Sequence, residues 1–91
     1  MNSLQDALRI FVAAAYAKNF REAATRLGLS PQAVTRAIRR LEDHFGETLF
    51  HRTTRQTRIT EFGTAKAAEA AATLSQLDEV LRPAEKRAAA A

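Results

Sequence analysis

The chain contains no cysteine, which excludes a disulfide framework and any thiolate metal site. Its two histidines, His44 and His51, are too few for a zinc site without several carboxylates close by. No long uncharged apolar run occurs, so no membrane span is expected. The opening Met1-Asn2-Ser3-Leu4-Gln5-Asp6 lacks the basic and apolar regions of a signal peptide. A bacterial-type cytoplasm is therefore the expected compartment. With three glycines in the whole chain there is no Gly-rich phosphate loop, and the acids fall mostly on helix exteriors. No convergent set of nucleophile, base or metal ligands emerges. Neither catalysis nor a cofactor is expected.

What is present suits one small domain. Ninety-one residues, 46% of them hydrophobic, allow a single modest core. The net charge of +4 is unevenly placed. Residues 31–41 carry Arg36, Arg39 and Arg40 without an acid, and residues 51–60 carry Arg52, Arg55 and Arg58, again without one. Residues 64–91 balance four basic side chains against four acidic ones. A positive field concentrated on the middle third points to a polyanionic partner.

The strongest helix signal runs from Ser30 to Gly46. Ser30 is a good N-cap, Pro31 suits the first helical position, and Gly46 can take the left-handed conformation that ends a helix. At about 100° per residue, Val34, Ile38, Leu41 and Phe45 share one face, while Gln32, Thr35, Arg36 and Arg39 share the opposite one. One face needs a core. The other offers amide, hydroxyl and guanidinium groups of the kind that read base edges and grip phosphates.

The neighbouring segments give this helix a setting. Residues 4–17 read as a first helix, with Leu4, Leu8, Phe11 and Ala15 as its inner stripe and Val12 beside them. Asn19-Phe20 breaks that pattern. A short second helix follows at about 21–27, with Ala23, Ala24 and Leu27 inward, and Gly28 ends it. Two helices joined by a short Gly-containing turn form a helix-turn-helix. Beyond Gly46, Leu49-Phe50 and the threonine-rich basic segment to Thr60 suit two short strands with a tip near 53–56, a wing. The alternative is a solvated loop. Thr60 then caps a last helix, along which Ala67, Ala70, Leu74, Leu77, Leu81 and Ala84 recur at coiled-coil-like steps. Pairing of two chains through this seam, with Phe62 at its start, is the expectation; folding back on the core is the alternative. Pro83 should end the helix near Arg82. The final alanines, 88–91, read as helix fray, a linker or an added tail.

Leu8, Phe11-Val12-Ala13, Asn19-Phe20, Ala23-Ala24-x-x-Leu27, Leu29-Ser30-Pro31-Gln32-Ala33-Val34-Thr35-Arg36-x-Ile38, Leu41-Glu42, Gly46, Leu49-Phe50-x-Arg52, Thr60 and Gly63 occur here in one order and at fixed spacings. Over about residues 4–82 this pattern resembles the N-terminal DNA-binding domain of LysR-type transcriptional regulators. The resemblance implies a mainly α fold: a winged helix-turn-helix of three helices plus a two-stranded wing, followed by a long linker or dimerisation helix. It implies a division into residues 1–60 for DNA binding, 61–82 for dimerisation, and 83–91 as hinge or tail. It also implies a homodimer on double-stranded DNA with dyad-related half-sites. A small-molecule effector would act through a further domain absent from these 91 residues. A winged-helix module that binds RNA or a protein is the alternative.

Roles follow residue by residue. Gln32, Ala33, Thr35 and Arg36 match positions that face the major groove. Arg55 matches the wing arginine that enters the minor groove, with Thr54 beside it. Ser30, Arg21, Arg39, Arg40 and Arg52 are the expected phosphate contacts. Arg21 stands where relatives often carry a capping Ser or Thr, which leaves the second helix without an obvious cap. Bland alternatives stay open: Arg36 could pair with Glu42 or Asp43, and Arg39 with Asp43. Glu42 is expected to partner a nearby arginine.

Overall fold

Four side-chain caps set where the helices begin. The computed structural model describes residues 3–84, in the order α1 (Leu4–Ala15), α2 (Phe20–Leu27), α3 (Pro31–Phe45), β1 (Phe50–Arg52), β2 (Thr57–Ile59) and α4 (Glu61–Val80). Ser3, Asn19, Ser30 and Thr60 each hold extended backbone while the side-chain oxygen accepts a bond from the N–H three residues on. The cap of α2 is thus Asn19, which accepts from Glu22 N–H at 2.8 Å. Glu22 reaches back in turn to accept from Lys18 N–H at 2.6 Å. Asn-x-x-Glu is a capping signature, which hydrophobic periodicity alone registers only as a break. Arg21 therefore leaves no cap missing.

Gly28 closes α2 at φ 69°. Leu29 N–H bonds back to Ala24 carbonyl at 2.9 Å, the bond that turns the chain directly into Ser30 and α3. The expected helix-turn-helix is formed, and α1 packs across both α2 and α3.

The core contains Phe11, Ala23, Ala24, Val34, Ile38, Leu41, Leu49, Phe50 and Ala67. In α1 the buried stripe is Ala7, Phe11 and Ala14 rather than Leu4, Leu8, Phe11 and Ala15. The shift has a cause: α1 is covered by α3 on one flank and α4 on the other. Its small residues take the closest approach, while Leu4, Leu8, Val12 and Ala15 fill the flanks half-buried. Leu27, placed inward by periodicity, remains exposed at the end of its short helix.

The hairpin is the expected wing. β1 and β2 pair antiparallel as Phe50–Ile59, His51–Arg58 and Arg52–Thr57. Phe50 anchors it by edge-to-face contacts with Phe11 at 5.9 Å and Phe20 at 4.9 Å.

Part of the α4 seam is covered by its own chain. Ala67, Ala70 and Leu74 are buried within this one chain, where α4 packs along α1. Phe62 stacks edge-on against Phe45 at 5.7 Å, with Lys66 over both rings. An Arg9–Asp78 ion pair at 3.0 Å ties α1 to the distal part of α4. The core is therefore not closed by residue 62, and the proximal seam faces the chain itself. Leu77 is half-buried, and Val80 and Leu81 stand outside this packing, 74% and 68% exposed. The helix ends at Val80 with Leu81 as its cap, consistent with Pro83. Of the hinge or tail expected at 83–91, residues 85–91 lie outside the described residues.

Candidate nucleic-acid interface

The outward side of α3 carries Gln32, Arg36, Arg39 and Arg40, all exposed, with Thr35 half-buried among them. Among the described residues none of the three arginines lies in ion-pair range of an acid. The alternative pairings with Glu42 and Asp43 are thus not formed. Thr35 Oγ1 donates to Pro31 carbonyl at 3.2 Å and keeps its capacity to accept. Ala33 lies beside this stripe rather than on it. It is half-buried, and it lines an open groove between α1 and α3 together with Ala7, Ile10, Arg36 and Arg40.

Ser30 accepts from Ala33 N–H at 3.1 Å as the cap of α3, and its own O–H keeps the capacity to donate. Arg21 is exposed in the first turn of α2. These positions put donors at the N-terminal ends of both helices of the helix-turn-helix, where the backbone field also favours an anion.

At the wing tip Thr53 does the organising, a role that sequence reasoning missed. Its N–H and Oγ1 both donate to Gln56 carbonyl, at 2.9 and 3.1 Å. The same Oγ1 accepts from Arg55 N–H at 3.2 Å and Gln56 N–H at 3.1 Å. Thr54 and Arg55 are consequently displayed at an ordered apex with exposed side chains. A threonine followed by a turn was the available signal.

Arg52, expected to contact a phosphate, is engaged within the chain. Its Nη2 bonds Glu42 Oε1 at 2.9 Å, and its side chain is only 26% exposed. The cause is strand alternation. Arg52 shares a face with buried Phe50, so it turns toward α3, whereas His51 and Arg58 form the outer rung. The expectation that Glu42 partners an arginine identifies that neighbour as Arg52.

The unpaired arginines of the described chain are thus Arg21, Arg36, Arg39, Arg40, Arg55 and Arg58, all on α2, α3 and the wing, whereas the cations of α1 and α4 sit in ion pairs. Such a surface offers cationic charge suited to phosphates around side chains whose chemistry suits base edges. Among the described residues no group of three His, Asp or Glu side chains could hold a metal ion. No helix among them is long and apolar enough to cross a membrane.

Residues 5–64 match the family model described as the bacterial regulatory helix-turn-helix protein, lysR family. The chain belongs to the lysR family. Its relatives in the family include the HTH-type transcriptional activator IlvY of Haemophilus influenzae, 46% identical over 56 residues that make up 62% of this chain and 19% of IlvY. Another is the HTH-type transcriptional regulator BudR of Klebsiella aerogenes, 40% identical over 77 residues, or 85% of this chain and 54% of BudR. This lysR-family chain therefore spans about a fifth to a half of those relatives' length. Among solved structures, the CbnR_DBD–DNA complex is similar at 32% identity and a TM-score of 0.79, covering 96% of this chain and 98% of that one. The winged helix-turn-helix with its long final helix is thus the fold of known DNA-binding domains of the lysR family.

Proposed function

We propose that this lysR-family chain binds double-stranded DNA sequence-specifically to regulate transcription. α3 enters the major groove, where Gln32, Thr35 and Arg36 meet base edges and Ala33 borders them. Arg21, Ser30, Arg39 and Arg40 hold phosphates, and Arg55 with Thr54 at the wing apex enters the flanking minor groove. The observation that carries this reading is the exposed, unpaired set Arg36, Arg39 and Arg40 around Gln32 on one side of α3. A guanidinium without an acid partner is free to make two parallel bonds to guanine or to a phosphate. The similar CbnR domain was crystallised as a complex with DNA, which supports the same reading here. No observation favours the RNA- or protein-binding alternative.

The functional unit is a homodimer that meets dyad-related half-sites. Its contact lies where α4 outruns its own core, at Leu77, Val80 and Leu81, rather than along the whole seam. Exposed apolar side chains at the end of a long helix support this placement. The bacterial cytoplasm, at the nucleoid, is the compartment such a function needs. Control by a small molecule belongs to a further domain of the kind that the greater length of the relatives leaves room for.

Selection of bound sites from random duplexes tests the proposal. A consensus with two-fold symmetric halves is expected. Recovery of no preferred sequence would contradict specific DNA reading, and a single unrepeated half-site would contradict the dimer.

A further inference from the structure

Glu42 lies one turn before the end of α3 with its side chain only 11% exposed. Oε2 accepts from Leu49 N–H at 2.8 Å and from Phe50 N–H at 3.3 Å. Oε1 accepts from Arg52 Nη2 at 2.9 Å. One carboxylate on the reading helix thus gathers three donors, all from the entry to the wing and its first strand. Leu49 and Phe50 are also held by the core. Arg52, the last residue of β1, is not, and beyond it come only the four residues of the tip that carries Arg55.

A hairpin with two three-residue strands has little stability of its own, so its direction must be imposed by neighbouring groups. Among the described residues, Glu42–Arg52 is the one ion pair between α3 and the wing. It is a poor device for stability alone, since Arg52 Nη1 is buried without a partner. It is a good device for orientation, because the carboxylate that Arg52 bonds is itself fixed by the Leu49 and Phe50 N–H groups.

We infer that Glu42 is a positioning residue that sets the angle between α3 and the wing, and with it the separation at which Arg36 and Arg55 meet their two grooves. This rests on the DNA-binding function proposed above. Glu42 itself touches no base or phosphate. It makes the wing a rigid extension of the recognition helix, so that a site is read only when its major-groove bases and its flanking minor groove stand at the matching spacing.

The test is Glu42→Gln, whose amide oxygen still accepts from Leu49 and Phe50 N–H but turns an –NH2 toward the donors of Arg52. Amide hydrogen exchange without DNA should rise about tenfold at Thr53 and Gln56, the amides that close the tip, while the α1 and α3 core amides keep their protection. Discrimination at bases beneath α3 should persist, whereas preference for A·T pairs at the flank is lost. Adding Arg55→Ala to Glu42→Gln should then cost no further affinity, since the two changes remove the same contact. Equal loss of discrimination at both grooves, or additive losses with Arg55→Ala, would overturn the positioning role, and so would unchanged exchange at the tip. Should Glu42→Gln fail to fold, Arg52→Met removes the pair alone and is read the same way. If the unaltered chain shows no flanking preference, the minor-groove assignment of the wing fails. The clamp is still judged by exchange, which needs no DNA.

Discussion

The backbone of Gly63, in the first turn of α4, lies directly against the carbonyl group of Leu49. A Cβ added at Gly63 would collide with that oxygen and stand 2.8 Å from Ile59 Cγ1. The carbonyl cannot swing aside, because it accepts from Thr60 N–H at 3.0 Å and from Thr60 Oγ1 at 3.2 Å. This contact seats the start of α4 on the root of the wing.

Gly63→Ala is therefore expected to destabilise the fold. In an unobstructed helix interior, Gly→Ala gains about 1 kcal/mol from propensity. Overpacking against fixed backbone costs about 1–3 kcal/mol or more and should win here. Urea unfolding should show a lower midpoint with an unchanged slope. A raised midpoint would mean that the Leu49 carbonyl yields.

For the dimer, Val80→Glu together with Leu81→Glu should give a monomer in sedimentation with its helix content intact, since neither side chain packs in its own core. Leu74→Glu should behave differently. It buries a charge between α4 and α1 and should unfold the chain, with a cost of at least about 3 kcal/mol. A dimer that survives the Val80 and Leu81 changes would move the interface elsewhere on α4.

Arg39→Ala and Arg40→Ala should weaken binding to all duplexes alike. Each should reduce the slope of log affinity against log salt by about 1, the signature of one lost phosphate contact. Titrations at several salt concentrations with preferred and unrelated duplexes check this. A loss confined to the preferred sequence would make either residue a base reader.

Much of this arrangement could be read from residue types and spacing. Ser30, Pro31 and Gly46 bounded α3 correctly because caps are local chemistry, and the apolar row Val34, Ile38 and Leu41 placed its buried side. The hairpin followed from alternation on either side of residues 53–56. The α4 seam could not be assigned in the same way. A stripe such as Ala67, Ala70 and Leu74 shows that something covers the helix, and the same pattern serves another chain or α1 of the same one. The Arg52–Glu42 pair is hidden from the sequence for a related reason. The inward turn of Arg52 depends on strand register relative to Phe50, and on an acid ten residues before it on another element. The Asn19 cap is legible as Asn-x-x-Glu, a local signature that apolar periodicity does not register.

The reading of α3 stands or falls with Arg36, exposed at the centre of the polar side and without an acid partner among the described residues. Equilibrium binding of Arg36→Ala should be measured against the selected duplex and each of its single-base variants. The expected result is a loss of about 1–3 kcal/mol on the selected site, with preference relaxed at one base position per half-site and retained elsewhere. Unchanged affinity with unchanged preference at every position would contradict the placement of α3 in the major groove.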